Sequence, residues 1–232
     1  MVTMRDDVSN LGTVLHRQLG LFNPEKDCTH SLVVVGVGAT GSNDVIVAGK
    51  IGMNPIHVWD GDTVEIHNNG GQIYSLADID KPKVLALRET VQHLCGVNLV
   101  VHNKYWTPED KLKGIIICGV DKMEVRKQLW AHAKKRSLAC PLFIDHRIGG
   151  ETAIIFAVPT QDPAACERFE ESLHSDEEAA PLPCTQRGCY DINNIVAGLT
   201  VRQIRKWLIN GDKAIVPEII YSAENGTFTR ME

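Results

Sequence analysis

Residues 32–41, LVVVGVGATG, limit the folds open to this chain more than any other ten residues in it. Leu32 to Val35 form an unbroken apolar run, which suits a strand covered on both faces, as in a parallel sheet. Gly36, Gly38 and Gly41 follow in the order GxGxxG, where the strand gives way to a helix starting near Ser42. Glycines there allow a tight turn and let backbone N–H groups approach a phosphate, and a helix N-terminus favours negative charge. With Ala39 and Thr40 between its glycines, the loop reads as a nucleotide cradle. The competing reading is a glycine turn that only lets helix and strand pack closely. Asp60 argues against it: this acid ends the next apolar run, IHVW at 56–59, 19 positions after Gly41. A carboxylate at about that spacing takes a ribose hydroxyl. Glycines and acid together leave NAD, FAD, S-adenosylmethionine and ATP all open.

The rest of the chain alternates strand and helix patterns. Helices are expected over 42–51, 82–95, 124–135 and 192–208, and strands over 98–102, 115–118, 142–145 and 153–158. In the second helix Val84, Leu87, Val91 and Leu94 recur at helical spacing. Asn225-Gly226 marks the turn of a C-terminal hairpin. The sum is an α/β fold with a doubly wound sheet. Residues 160–191 break the pattern with three prolines and six acidic residues between Glu167 and Glu178. That stretch reads as a functional lid or a disordered insert.

Composition excludes several classes. A formal net charge of −5 over 232 residues gives no basic field for nucleic acid. No apolar run approaches the roughly 18 residues a membrane span needs. The first ten residues, MVTMRDDVSN, lack an apolar signal core, so a soluble cytoplasmic protein is expected. The seven cysteines are odd in number and scattered, and no Cys-x-x-Cys pair occurs, so neither a disulfide framework nor the usual zinc spacing is present.

The stretch DGDTVEIHNNGGQ at 60–72 narrows the nucleotide. Asp60, Asp62, Val64, Asn68 and Gln72 resemble the D-x-D-x-V-x-x-x-N-x-x-R-Q segment of the ThiF/MoeB/HesA family, which also holds the adenylation domains of ubiquitin-activating enzymes. Other segments follow in the family's order: HRQL at 16–19, DIDKPKV at 78–84, GVDKMEVRKQL at 119–129 and PCTQRG at 183–188. The likeness runs from about residue 15 to 231. No Tyr-x-x-x-Lys or other hydride-transfer set accompanies the glycine loop.

This resemblance implies a single Rossmann-like adenylation domain over 1–232, with a mixed sheet, an N-terminal arm (1–30) and a crossover loop (160–191). It implies ATP and magnesium as cofactors; the two zinc-binding Cys-x-x-Cys pairs of many relatives are absent here, so no zinc is expected. The activity it implies is adenylation of the C-terminal Gly-Gly carboxylate of a ubiquitin-like or sulfur-carrier β-grasp protein. It further implies a homodimer in which Arg17 reaches the neighbouring subunit's site. The glycine loop and Asp60, with Asp62 beside it, would hold adenosine and α-phosphate. Asn68 and Gln72 would line the phosphate and substrate-tail channel, Lys83 would supply a cation, and Asp121 would coordinate magnesium. Cys184 stands where some members carry an acyl-accepting cysteine, and Cys189 lies five residues on. Taken alone, Arg17 and Lys83 read equally as solvated charges, and Asp121 as a helix N-cap. Three positions depart from the family pattern. Its arginine before Gln72 is Gly71, its glycine in the d-x-G-k segment is Asp80, and the second glycine of its loop is Thr40. Arg126, Arg147 and Lys81 are the cations available to replace the missing arginine. A binding protein that has lost turnover, and an adenylating enzyme for a peptide or small carboxylate, are the alternative functions.

Overall fold

The computed structural model describes residues 14–175 and 189–231. Leu32–Val35 is strand β1, near the middle of the sheet and buried along its whole length. Parallel neighbours flank it: β2 (Ile56–Trp59) on one side and β4 (Ile115–Cys118) on the other. β3 (Val100–His102) lies outside β2, and β5 (Leu142–Gly149) beside β4, both parallel. The sheet then turns antiparallel through β6 (Thr152–Pro159), β7 (Glu218–Ser222) and β8 (Thr227–Met231). The order is β3-β2-β1-β4-β5-β6-β7-β8. The expected α/β architecture and the C-terminal hairpin are both present.

Strand side chains alternate between faces, so the sheet builds two cores. Leu32, Val34, Val58 and Ile117 face α2 (Ala39–Lys50), α3 (Lys83–Cys95) and α6 (Tyr190–Asn210). Val33, Val35, Ile116 and Phe143 face α4 (Met123–Lys135) and α5 (Pro163–Glu171). The described part of the N-terminal arm holds a short helix, α1 (Pro24–Asp27), and buries Leu15 and Phe22.

Most boundaries fall within two residues of the sequence reading, and three differences are larger. β5 runs four residues past the expected 142–145, because it pairs with β6 over its full length, Leu142 with Pro159 through Gly149 with Thr152. The charged run Asp145-His146-Arg147 hides this extension in the sequence. Helix α5 occupies part of the segment expected as a lid or insert. Asp162 caps it by accepting from the N–H groups of Ala164 and Ala165, and Pro163 opens it. Helix α2 starts at Ala39 rather than Ser42, directly on the glycine loop. No helix among the described residues is long and apolar enough to cross a membrane.

Candidate nucleotide site

Parallel strands β1, β2 and β4 deliver their following loops to one edge of the sheet, where open α/β folds bind ligands. The loops after β1 and β4 touch. Gly36 sits at φ +86, and a Cβ there would lie 2.6 Å from the Gly119 carbonyl oxygen. A Cβ at Gly41 would run into the Gly36 carbonyl oxygen, so these two glycines are required by packing. Gly38 differs: a Cβ there meets nothing within 4 Å. It is the N-cap of α2, and no side chain caps the helix. The first turn of α2 thus has no side-chain cap and open space beside Gly38, an arrangement that suits a phosphate.

Two buried side chains clamp this loop. Asp60, 7% exposed, accepts from the Val37 N–H at 2.9 Å through one oxygen and from the Asp62 N–H at 2.8 Å through the other. Burial raises its pKa, against these two N–H groups and the Lys83 charge. Tyr74, fully buried, donates its hydroxyl to the Val37 carbonyl at 2.6 Å. Each Asp60 oxygen keeps a further acceptor site for a ribose hydroxyl.

Lys83 opens α3, is buried, and pairs with Asp62 at 2.9 Å. Asp62 also accepts from the Tyr105 hydroxyl. Burial pushes the Asp62 carboxyl up, but Tyr105 and Lys83 outweigh it and hold it below the usual carboxylate range. Asp121 lies two residues beyond Gly119 and is exposed, with no bond to its carboxylate among the described residues. Lys122, not Asp121, is the N-cap of α4, which removes the capping explanation for the acid. Asp121 adds to the negative field at Tyr105, and Lys122 acts on Asp62, so this loop faces the Asp62–Tyr105 pair.

Residues 68–74 line the other flank. Asn68 is buried and accepts from the Glu65 N–H at 2.8 Å, closing a 3-10 turn over Ile66–Asn68. Ile73 N–H points at the Ser42 hydroxyl of α2, and the Gly71 carbonyl accepts from Asn193 of α6 at 2.8 Å. Gln72 leaves its buried Oε1 with no partner among the described residues, an acceptor an incoming donor would satisfy.

Other named residues fall elsewhere. Arg17 lies exposed on a 3-10 turn, His16–Gln18, anchored by Gln18 to the Ile51 carbonyl, and nothing described joins it to its own chain's site. Cys184 lies outside the described residues. Cys189 is an exposed free thiol at the N-cap of α6, one turn from Asn193. The three cations considered as substitutes for the missing arginine are engaged. Arg126 binds Asp145 and the Val120 carbonyl, Arg147 binds Asp145 and Ser172, and Lys81 binds Asp78 and Glu89.

The sequence reading missed Tyr74, Tyr105 and Asn193. Tyr105 and Asn193 sit far in sequence from the residues they bond, Asp62 and Gly71; Tyr74, two residues after Gln72, offered a local signal. The site's donors fit ATP with magnesium. The open space at Gly38 could take a phosphate, and Asp121 is an exposed carboxylate of the hard kind that magnesium favours.

Comparison with known proteins bears on the family and the fold. The model of the ThiF family matches residues 19–232. Ubiquitin-like modifier-activating enzyme 5 of Caenorhabditis elegans is 27% identical over 223 residues, covering 84% of this chain and 51% of that protein. The Xenopus laevis enzyme of the same name is 27% identical over 225 residues, covering 84% and 54%. The chain thus spans about half the length of the curated relatives it matches. Among solved structures, PaaA superposes with a TM-score of 0.73 at 16% identity, covering 95% of this chain and 73% of PaaA. Escherichia coli MccB with ATP superposes at 0.67 and 13% identity, covering 90% and 65%.

Proposed function

The chain belongs to the ThiF family, and from that premise we propose that it acts as a single adenylation domain. It would transfer AMP from magnesium-ATP to the C-terminal glycine carboxylate of a ubiquitin-like β-grasp protein. A carboxylate oxygen bonds to the α-phosphorus, the bond to the β-phosphate bridge breaks, and pyrophosphate leaves. Such a reaction asks little covalent chemistry of the protein and much positioning and charge neutralisation. The observation that carries the reading is the meeting of the Gly38 cradle, Asp60, Lys83 and an unengaged Asp121 at one sheet edge.

In this reading the N–H groups from Gly38 to Thr40 and Gly41 hold the α-phosphate, and Asp60 holds the ribose. Lys83 turns from Asp62 toward the phosphates, leaving Asp62 to Tyr105. Asn68 and Gln72 line the channel for the incoming tail. Asp121 would hold magnesium, whose contribution is charge neutralisation and alignment of phosphate oxygens. Arg17 enters from a second copy of the chain in a homodimer. The Cys184 thiolate, or Cys189 in its place, then attacks the acyl carbon to form a thioester, the bond to the phosphate oxygen breaks and AMP leaves; the setting is cytoplasmic, where thiols stay reduced.

A second reading has one specific observation in its favour. The family arginine is Gly71, and the three cations weighed as its replacement, Arg126, Arg147 and Lys81, are engaged elsewhere. That fits a catalytically impaired binder, or an enzyme acting on a peptide or small carboxylate. A structural neighbour, the Microcin C7 biosynthetic enzyme MccB, was solved with N-formylated MccA. Exchange of labelled pyrophosphate into ATP separates these. Exchange that depends on one β-grasp protein's terminal glycine is the expected result. ATP binding without exchange for any β-grasp protein would favour the second reading.

A further inference from the structure

Three consecutive β5 residues, Asp145, His146 and Arg147, have no part in the nucleotide reading, yet each ties the strand to a different helix. His146 meets Asp44 of α2 at 2.6 Å on one face of the sheet. On the other face the fully buried Asp145 carboxylate is shared by two guanidinium groups. Arg126 of α4 takes one oxygen at 2.7 Å, and Arg147 takes the other at 2.7 Å. Both arginines then reach backbone. Arg126 donates to the Val120 carbonyl at 2.6 Å, one residue from Asp121. Arg147 donates to the Ser172 carbonyl at 2.8 Å and hydroxyl at 3.0 Å, just past the end of α5.

We propose that Arg147 is a positioning residue for the Asp121 loop, acting through Asp145 and Arg126, and so couples the C-terminal end of α5 to the metal side of the nucleotide site. The link to metal rests on the proposed role of Asp121; the mechanical coupling does not. A buried carboxylate needs a donor for each of its oxygens, and here one guanidinium serves each. Moving one guanidinium therefore moves the carboxylate's best position for the other. Arg147 has little freedom to absorb a shift at Ser172, because its guanidinium also lies 5.0 Å from the Phe156 ring centre and 5.7 Å from that of Phe169. Arg126 passes the shift to the Val120 carbonyl, where the Asp121 loop begins.

The alternative is that Arg147 anchors α5 locally and nothing more. Amide hydrogen exchange by mass spectrometry tells the two apart, with Arg147→Gln and Arg147→Lys beside the natural chain. Coupling requires Arg147→Gln to speed exchange about tenfold in peptides covering both 169–175 and 119–126, with β1 unchanged. Arg147→Lys retains a charge for Asp145 but loses the fork to Ser172, so it should restore 119–126 and leave 169–175 fast. A rise confined to 169–175 overturns the proposal. The same proteins are then titrated with a fluorescent ATP analogue. Arg147→Gln should weaken binding several-fold with magnesium and not with EDTA, and equal loss in both overturns the link to the metal side. A natural chain that binds no analogue removes the nucleotide reading and the metal link together, while the exchange result still decides the coupling.

Discussion

Single residues in the glycine loop divide into those that serve the fold and those that serve a ligand. Gly41→Ala would press a Cβ into the Gly36 carbonyl, and overpacking of that kind costs about 2–4 kcal/mol. Gly38→Ala meets nothing, so the loss of stability should be about 1 kcal/mol or less. The methyl would instead fill the cradle, and affinity for an ATP analogue should fall about tenfold or more. Thermal melts and analogue titration on both variants check this; equal affinity in Gly38→Ala and the natural chain would show that the cradle holds no phosphate. Asp80 is the other telling residue. It is the one non-glycine at positive φ among the described residues, φ 68, where the family carries glycine. A side chain in that region costs up to about 1–2 kcal/mol, less for Asp and partly offset by glycine's freedom in the unfolded chain. Asp80→Gly should therefore raise the melting temperature by about 1–4 °C. A lower melting temperature would mean that the aspartate is stabilised by something other than its backbone.

At the scale of elements, the clearest tie between the glycine-loop helix and the sheet is the Asp44–His146 pair, where both side chains are essentially inaccessible. Burial alone would lower the imidazole pKa; Asp44 on α2 more than reverses this, and Asp145 adds to the rise while Arg126 opposes it. The folded-state value thus lies above the ordinary 6.5. The stability this confers is complete below about pH 6.5 and drains as pH rises through the raised value. Urea melts from pH 5.5 to 9 should show that decline in the natural chain and a flatter profile in His146→Gln. A decline of the same size in the variant would assign it to another group. His146→Ala strands the Asp44 carboxylate and should cost about 3–5 kcal/mol. None of this was legible in the sequence, and the reason is physical. Strands β1 and β4 announce themselves because both of their faces are apolar, and β2 nearly so, with His57 its one polar residue. β5 carries Asp145, His146 and Arg147 in mid-strand, the first two buried against partners on other elements, so a rule built on apolar runs stops it at Asp145. The glycine loop, Asp60, Lys83 and Asp121 were readable because their order is a property of the chain. Tyr105 and Asn193 were not, because only folding brings them to Asp62 and Gly71.

At the scale of the whole molecule, the question is whether one chain makes one site. Asp121 stands at its own chain's nucleotide edge, whereas Arg17 is exposed on the N-terminal arm with no described bond to that edge. If Arg17 serves the neighbouring subunit, then in a two-fold dimer each site takes Asp121 from one chain and Arg17 from the other. The variants Arg17→Ala and Asp121→Ala should each be inactive in pyrophosphate exchange as homodimers. Co-expressed, they form mixed dimers in which one site has lost both residues and the other has kept both. Random pairing makes half of the dimers mixed, and half of the sites in those are intact, so about one quarter of the natural turnover should return. Recovery to that level would also show that the residues are shared across the interface rather than being needed for folding, since neither chain is restored. No recovery, with mixed dimers demonstrated by mass, would mean that Arg17 serves its own chain's site or fold and not the neighbouring subunit's site.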